Sequence, residues 1–575
     1  MTHKNDSLFS IFSKIACETP DKVSISYDSV QISYYCLLNK ALAIAHAIGM
    51  RRNPVAILCQ QHQNAIASML GCLYNRTIFI PINSDLPIAR IQAIILNSGA
   101  DLILADYNLD GLTQVINISA LPEDVCTKEI APVDHQANMN VAYIIFTSGT
   151  TGTPKGVAQS EVALRQHIIH YIKSINAQPN DRIAMVAGFG YDAALMDIFS
   201  ALLSGATLMP LAILQHTTES LRKLIYQYEI TIFHSTPSVF RLIFTKNGKK
   251  YNYKKIKAVI LGGEQARQSD LKLFNDTFSV NSILINGFGP SESTLALQAN
   301  FHFGDIVYEQ GLSIGLPVPE MDVDLIDIKK TSNGEIGEIV LRSPNVFMGY
   351  VSRPEDISIL QTQPRKEIHY TGDLGRRLPD GSLIHVGRKD SQVKIAGIRI
   401  ELEEINSLLV LQPGVEDAAT RVVENGHGNA WLISWILTMK DKLDESAIIA
   451  ALRLQLPQTS VPSRIIPMES FPRHPNGKVD TSILPIPTIY KKTTDDLDPL
   501  SQQLANIWRD CLGLENNVSL SDRFIDIGGS SLSAISVISR VQQENRVRIR
   551  PSSLLLNPTL DQFINQVKIG VKNAE

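Results

Sequence analysis

The chain has 575 residues, of which 44% are hydrophobic and 19% charged, with a net charge of −4. That length suits about three to five compact units, and the composition is that of an ordinary globular protein. The charge balance excludes a basic nucleic-acid binder and a polybasic membrane binder. Six cysteines (Cys17, Cys36, Cys59, Cys72, Cys126 and Cys511) are scattered, with no C-x-x-C pair and no histidine at ligand spacing. Reduced thiols and no structural zinc are therefore expected. Residues 1–20 lack a continuous apolar run, so no signal peptide is expected, and no stretch approaches the ~18 apolar residues of a membrane span. The expectation is a soluble cytoplasmic protein without nucleic-acid or membrane partners.

Short apolar runs alternate with amphipathic segments over the first ~390 residues, a pattern that predicts α/β layers. Strands are predicted at 55–58, 78–80 and 102–105, with helices at 64–73 and 87–97 among them. At 143–146 an apolar strand feeds a loop rich in Thr, Ser and Gly that ends in Pro154-Lys155-Gly156. Glycines let backbone N–H groups crowd around phosphate oxygens, hydroxyls add donors, and a lysine adds a point charge. Lys155 is followed by Gly156, so this is not the Walker A loop. A further strand is predicted at 259–261. Near Gly387-Arg388-Lys389-Asp390 the texture changes to a smaller α+β segment, with a strand at 431–437, ending near Pro485. The polar stretch at 491–501 reads as a linker. Helical periodicity at 502–511 and 532–541 then predicts a small helical bundle. The expected division is 1–389, 390–488, a linker at 489–500, and 501–575.

The string YIIFTSGTTGTPKGV at 143–157 resembles the phosphate loop of the adenylate-forming enzymes, and in particular the amino-acid adenylation domain of nonribosomal peptide synthetases. Further motifs recur in that family's order: FIPINSDLPIARI (79–91), GYDAALMDIF (190–199), NGFGPSEST (286–294), GEIVLRSPNVFMGYVSRPE (337–355), YTGDLGRR (370–377), GRKDSQVKIAGIRIELEEI (387–405) and HPNGKVD (474–480). The joint order is far more specific than any one string. The implied fold is a large α/β adenylation core and a small α+β subdomain, followed by a four-helix-bundle carrier. The implied activity is ATP-dependent conversion of an acid to its acyl adenylate, with Mg²⁺ and lysines absorbing charge during transfer.

The resemblance assigns roles residue by residue. Thr147, Ser148, Thr150, Thr151 and Lys155 should hold the β- and γ-phosphates, and Ser291 should touch the α-phosphate. Glu292 should ligate Mg²⁺, since a carboxylate suits a hard ion. Phe288 should stack on adenine, where the family more often has Tyr. Asp373 should accept the ribose hydroxyls, and Arg388 should contact the ribose–phosphate side. Gly263 and Asn286 fall in the same nucleotide site. Lys478, after Asn-Gly, should be the catalytic lysine; read alone it is an ordinary turn lysine. Asp390 should be the hinge that swings the small subdomain, and the loop at 394–397 should line the thiol's approach. After KGV the family often has a histidine three residues on; here Ser160 stands there, and no consequence is assigned to it.

Residues 522–540, DRFIDIGGSSLSAISVISR, resemble the D-x-F-F-x-L-G-G-x-S-L motif of peptidyl carrier proteins. Ser531 is then the serine that carries 4'-phosphopantetheine, with Ser530 in the variable position before it. Either serine could also be a helix N-cap. LLLNPTL at 554–560 matches the carrier's last-helix region. Asp192 takes the position that pairs with a substrate α-ammonium, which favours an α-amino acid. The rest of the pocket is Ala193, Met196, His234, Ile260, Gly262, Gly287, Leu295 and Ala296. Its apolar walls suggest a medium-sized, valine- or leucine-like substrate. His234 is either a wall residue or a hydrogen-bonding group for a polar side chain.

The expected protein is a stand-alone loading module that needs a phosphopantetheinyl transferase. It would pass its aminoacyl thioester to a condensation domain or tailoring enzyme in trans. Whether a small helper protein is needed stays open. The rivals are an aryl- or acyl-acid ligase with a fused carrier, which Asp192 opposes, and a degenerate carrier scaffold. Lys155, Glu292, Asp373, Lys478 and Ser531 oppose the second.

Overall fold

The structure is a computed structural model that describes residues 6–60, 62–107, 109, 114–121, 140–147, 154–245, 251–305, 311–331, 334–362, 367–389, 392–395, 398–424, 430–438, 444–472, 479–485, 497–514 and 517–572. Two sheets build the large N-terminal part. In a seven-stranded sheet the order is Gly349–Val351, Lys155–Ser160, Val141–Thr147, Phe79–Pro81, Val55–Leu58, Leu102–Ala105, Val115–Asn117. The middle of this sheet is parallel and buried on both faces, so its strands read as unbroken apolar runs. A thirteen-stranded sheet joins Arg182–Met185, Ile232–Ser235, Ala258–Leu261 and Ile283–Phe288 in parallel. It then continues through antiparallel strands that include Ile368–Arg377 and Leu383–Arg388.

The largest core cluster draws on both sheets: Val55, Leu102 and Tyr143 come from one, Ile183, Ile232 and Ile285 from the other. Helix Asp192–Ser204 packs within it and ends at Gly205, whose φ of 72° gives the left-handed cap that L side chains resist. Its first turn delivers Asp192 to the sheet edge.

The small subdomain has a hairpin, Gln392–Ile395 with Ile398–Glu401, and a three-stranded sheet, Asp417–Glu424, Ala430–Leu437 and Arg464–Met468. Helices Leu402–Val410 and Glu445–Arg453 pack on them. The C-terminal unit is a four-helix bundle of Pro499–Leu512, Ser531–Asn545, Ser552–Leu555 and Leu560–Lys572. Trp508, Phe524 and Phe563 fill its centre. The expected fold class is present in all three parts.

The three parts touch. Arg90 pairs with Glu404 across the large and small subdomains, with both side chains buried. Arg453 of the small subdomain bonds Asp526 of the bundle at 3.2 Å. The Thr218 N–H donates to Ser539 Oγ at 2.8 Å, which seats the bundle on the large core.

Most expected elements recur with ends shifted by a residue or two: His62–Tyr74, Ile88–Ser98, Ala258–Leu261 and Ala430–Leu437. One boundary moves for a physical reason. The bundle's first helix begins at Pro499, inside the expected linker at 489–500, because Asp498 caps the Ser501 N–H at 3.1 Å and Pro499 takes the first helical position. Cys36, Cys59 and Cys72 are free thiols, and Cys126 lies outside the described residues. No helix among the described residues is long and apolar enough to cross a membrane.

Candidate active site

The proposed phosphate loop leaves one strand and returns in the next. Thr147 and Lys155 face each other across the antiparallel pair, and Thr147 Oγ1 donates to the Lys155 carbonyl at 3.4 Å. Ser148, Thr150 and Thr151 lie outside the described residues, as do Lys478 and Asp390. The Lys155 ammonium sits 3.2 Å from the centroid of the Tyr350 ring, a cation–π contact. The Tyr350 hydroxyl donates to Glu292 Oε1 at 2.8 Å. Arg399 Nη1, from the small subdomain, bridges both Glu292 oxygens at 2.9 and 3.0 Å. Burial would raise the fully buried Glu292 carboxyl, but the Arg399 guanidinium outweighs it and holds the group below the usual range.

Glu292 is held on a turn that only glycine can open. A Cβ on Gly289 would fall 1.3 Å from the Thr294 carbonyl oxygen. Ser291, beside Glu292 on this turn, is half-buried. No cluster of three or more metal-ligating side chains occurs among the described residues. The Glu292 carboxylate suits Mg²⁺, which takes one or two carboxylates and completes its shell with phosphate oxygens and water, but Arg399 holds both of its oxygens in this arrangement.

Asp373 is 1% exposed, and each of its oxygens has a cross-strand partner. His385 Nε2 lies 2.8 Å from one, and Arg388 Nη1 donates to the other at 2.7 Å. Burial would raise this carboxyl, but His385, Lys394 and Arg388 hold it below its ordinary value. A carboxylate offers about four lone-pair sites, so acceptors remain for a ribose. The Phe288 ring faces the His385 imidazole, with centroids 5.9 Å apart. Asn286 spends its amide on the Ser313 carbonyl at 2.9 Å, and so supports the strand. Gly263 turns the chain away with φ of 80°.

The proposed acyl pocket is contiguous along the sheet edge. His234 pairs in register with Ile260, and Gly262 and Gly287 follow on the neighbouring strands. A Cβ on Gly262 would stand 3.7 Å from both His234 Nε2 and the Gly287 carbonyl, and one on Gly287 would stand 3.0 Å from Leu295 Cδ1. Met196 and Ile260 are buried in the large core beside Leu295, and Ala193 is half-buried at the pocket edge. Ala296 is fully buried and packs with Phe288 instead, behind the pocket wall. Asp192 Oδ1 accepts the Ala193 N–H at 3.0 Å. Burial pushes the Asp192 carboxyl above its usual value, and Lys394 and His234 pull against that.

Lys394 reaches in from the small subdomain. Burial lowers its ammonium pKa, and the Asp373 and Asp192 carboxylates oppose that shift. A cleft of about 1120 Å³ runs from Lys394 and Ile395 past Trp431 to Ser530 and Ser531. Ser530 is the N-cap of helix Ser531–Asn545, and Ser531 is its first residue, half-exposed to the cleft. The turn before it demands glycine: a Cβ on Gly529 would meet Phe524 Cδ1 and its carbonyl oxygen at 2.4 Å.

Residues 12–351 match the AMP-binding enzyme family, more than half of the chain. The chain belongs to the AMP-binding enzyme family. Residues 502–567 match the phosphopantetheine attachment site family. This AMP-binding enzyme is therefore an adenylate-forming ligase fused to a carrier domain, and its cofactors are ATP with Mg²⁺ and 4'-phosphopantetheine. It is 30% identical to gramicidin S synthase 2 of Brevibacillus brevis over 97% of this chain and 13% of that protein. It is 27% identical to surfactin synthase subunit 2 of Bacillus subtilis (strain 168) over 98% of this chain and 16% of that one. The chain thus spans less than a fifth of either relative. Among solved structures, holo-PA1221, a protein containing adenylation and PCP domains and bound to a vinylsulfonamide inhibitor, superposes with a TM-score of 0.81 at 23% identity. That match covers 98% of this chain and 97% of the other, and it speaks to the fold.

Four side chains were missed by sequence reasoning. Tyr350 and Arg399 lie inside quoted motifs but carried no role, and they prove to be the partners of Glu292. His385 sits three residues before Arg388 on the strand opposite Asp373, a register that the sequence does not give. Asp197 follows Asp192 by five residues, inside the quoted GYDAALMDIF string, and bonds His234 at 2.9 Å.

Proposed function

We propose that this enzyme activates an α-amino acid of roughly valine or leucine size and loads it onto its own carrier. Asp192 holds the substrate α-ammonium at the N-terminus of helix Asp192–Ser204. The amino acid's carboxylate oxygen attacks the α-phosphorus of ATP, and pyrophosphate leaves. Lys155 and Ser291 bind the phosphates and Lys478 neutralises the charge that builds during transfer, while Asp373 and Arg388 orient the ribose and Phe288 covers the adenine. Glu292 would hold Mg²⁺, which would supply countercharge to the phosphates. Ser531 would carry the phosphopantetheine arm, whose thiol would accept the acyl group from the adenylate with AMP as the leaving group. A carrier on the same chain raises the effective concentration of that thiol. The thioester then serves a condensation domain or tailoring enzyme.

The observation that carries this reading is the cleft that Lys394 and Ser531 share. Lys394 lines that cleft and feels the Asp192 and Asp373 carboxylates, which supports a route from the carrier serine towards the acyl and ribose sites. The test is the intact mass of the pantetheinylated protein after incubation with ATP, Mg²⁺ and pooled amino acids. A gain of one aminoacyl group, absent in Ser531→Ala, is expected. A pantetheine arm with no gain from any amino acid would overturn the reading.

A further inference from the structure

The pocket contains an ion pair that its apolar walls do not explain. Asp197 is 1% exposed, and its Oδ1 lies 2.9 Å from His234 Nδ1. Its other oxygen is buried and has no partner among the described residues. A buried carboxylate with one free oxygen is costly unless a cation stands beside it. Burial alone would keep the imidazole neutral, but Asp197, and more distantly Asp192, raise its pKa above the ordinary value. The Tyr171 ring closes the other side, with its centroid 6.0 Å from that of the imidazole.

The pair fixes which nitrogen the substrate meets. Nδ1 is spent on Asp197, so Nε2 is the ring atom left for the substrate, a donor while the ring carries both protons and an acceptor when it is neutral. Nε2 lies beside Gly262, 3.7 Å from where a Cβ would stand, and has no partner among the described residues. We propose that Asp197 positions His234 so that Nε2 hydrogen-bonds a neutral polar group on the substrate's side chain. The preferred amino acid then carries a hydroxyl or a carboxamide rather than an aliphatic end. This rests on the reading above, in which Asp192 holds an α-amino acid.

Charge decides against an acidic side chain. Asp192 with the α-ammonium is neutral, while Asp197 already brings a carboxylate to the pocket wall. A side-chain carboxylate would add a further negative charge beside them. An aliphatic end would strand Nε2 without a partner, the same penalty that lets polar sites reject apolar analogues.

The test is ATP–pyrophosphate exchange with the full chain. The panel is serine, threonine, asparagine and glutamine against valine, leucine, aspartate and glutamate, with wild type, Asp197→Asn and His234→Leu. The wild type should prefer one neutral polar amino acid over valine and leucine by roughly 10- to 100-fold in kcat/KM. Asp197→Asn should raise the KM for that amino acid more than it lowers kcat, which a merely structural role would not do. His234→Leu should shift the preference towards leucine or valine. A wild type that prefers valine, leucine or an acidic amino acid overturns the inference and leaves amino-acid activation standing. Exchange with no α-amino acid overturns that reading, and this inference with it. Should Asp197→Asn fail to fold, the wild-type panel and His234→Leu still decide.

Discussion

Asp373 shows how one buried carboxylate can serve structure and chemistry together. It ties strand Ile368–Arg377 to Leu383–Arg388 through His385 and Arg388, and it faces the proposed nucleotide site. Asp373→Asn removes the negative charge that His385 and Arg388 bond, at a cost of about 3 kcal/mol. Because the folded carboxyl lies below its ordinary value, its contribution is present above the unfolded pKa of about 3.9 and is lost as pH falls through the folded value. The stability gap between wild type and Asp373→Asn should therefore be flat from about pH 5 to about pH 8 and close below about pH 4. Urea unfolding of both proteins across that range measures it. A gap that persisted unchanged at about pH 3 would place the effect in packing rather than charge.

At the scale of elements, the carrier helix separates two serines by role. Ser530 Oγ accepts the Ser533 N–H at 3.2 Å, while the Ser530 N–H donates to Ser533 Oγ at 2.6 Å, a reciprocal cap. Ser531 has no part in it. Ser530→Ala should cost about 1 kcal/mol, read as roughly fivefold faster amide exchange in helix Ser531–Asn545, and still accept the pantetheine arm. Ser531→Ala should keep the cap and lose the arm. The opposite result would move the attachment site to Ser530. The sequence left both serines open as caps, because a cap is settled by φ and ψ rather than by residue type. Elements were legible where burial imposes a pattern, as in the apolar runs at 55–58 and 102–105. Motif order pointed to Asp192, Glu292, Asp373 and Ser531 as candidate site residues. The pairings were not legible. Arg399 lies 107 residues from Glu292, and His385 meets Asp373 through strand register, so neither contact leaves a local trace.

Across the whole molecule, the small subdomain and the proposed Mg²⁺ carboxylate compete. In this arrangement Arg399 covers both oxygens of Glu292, while Arg90 and Glu404 lock the two subdomains together and Ser531 opens to the same cleft as Lys394. A carboxylate engaged on both oxygens by a guanidinium is a poor ligand for a dication, so Mg²⁺ and Arg399 should alternate on Glu292. On that reading adenylate formation should need Arg399 withdrawn, and thioester formation should be favoured when it is engaged. Arg399→Ala should leave ATP–pyrophosphate exchange within about threefold of wild type. It should also slow loading of the carrier by roughly tenfold or more, since a buried charged hydrogen bond contributes about 1.5–3 kcal/mol. Exchange kinetics and single-turnover loading of the pantetheinylated chain measure the two steps separately. An equal loss in both would mean that Arg399 serves adenylate formation as well. Loss of exchange alone would reverse the assignment of this arrangement to the second step.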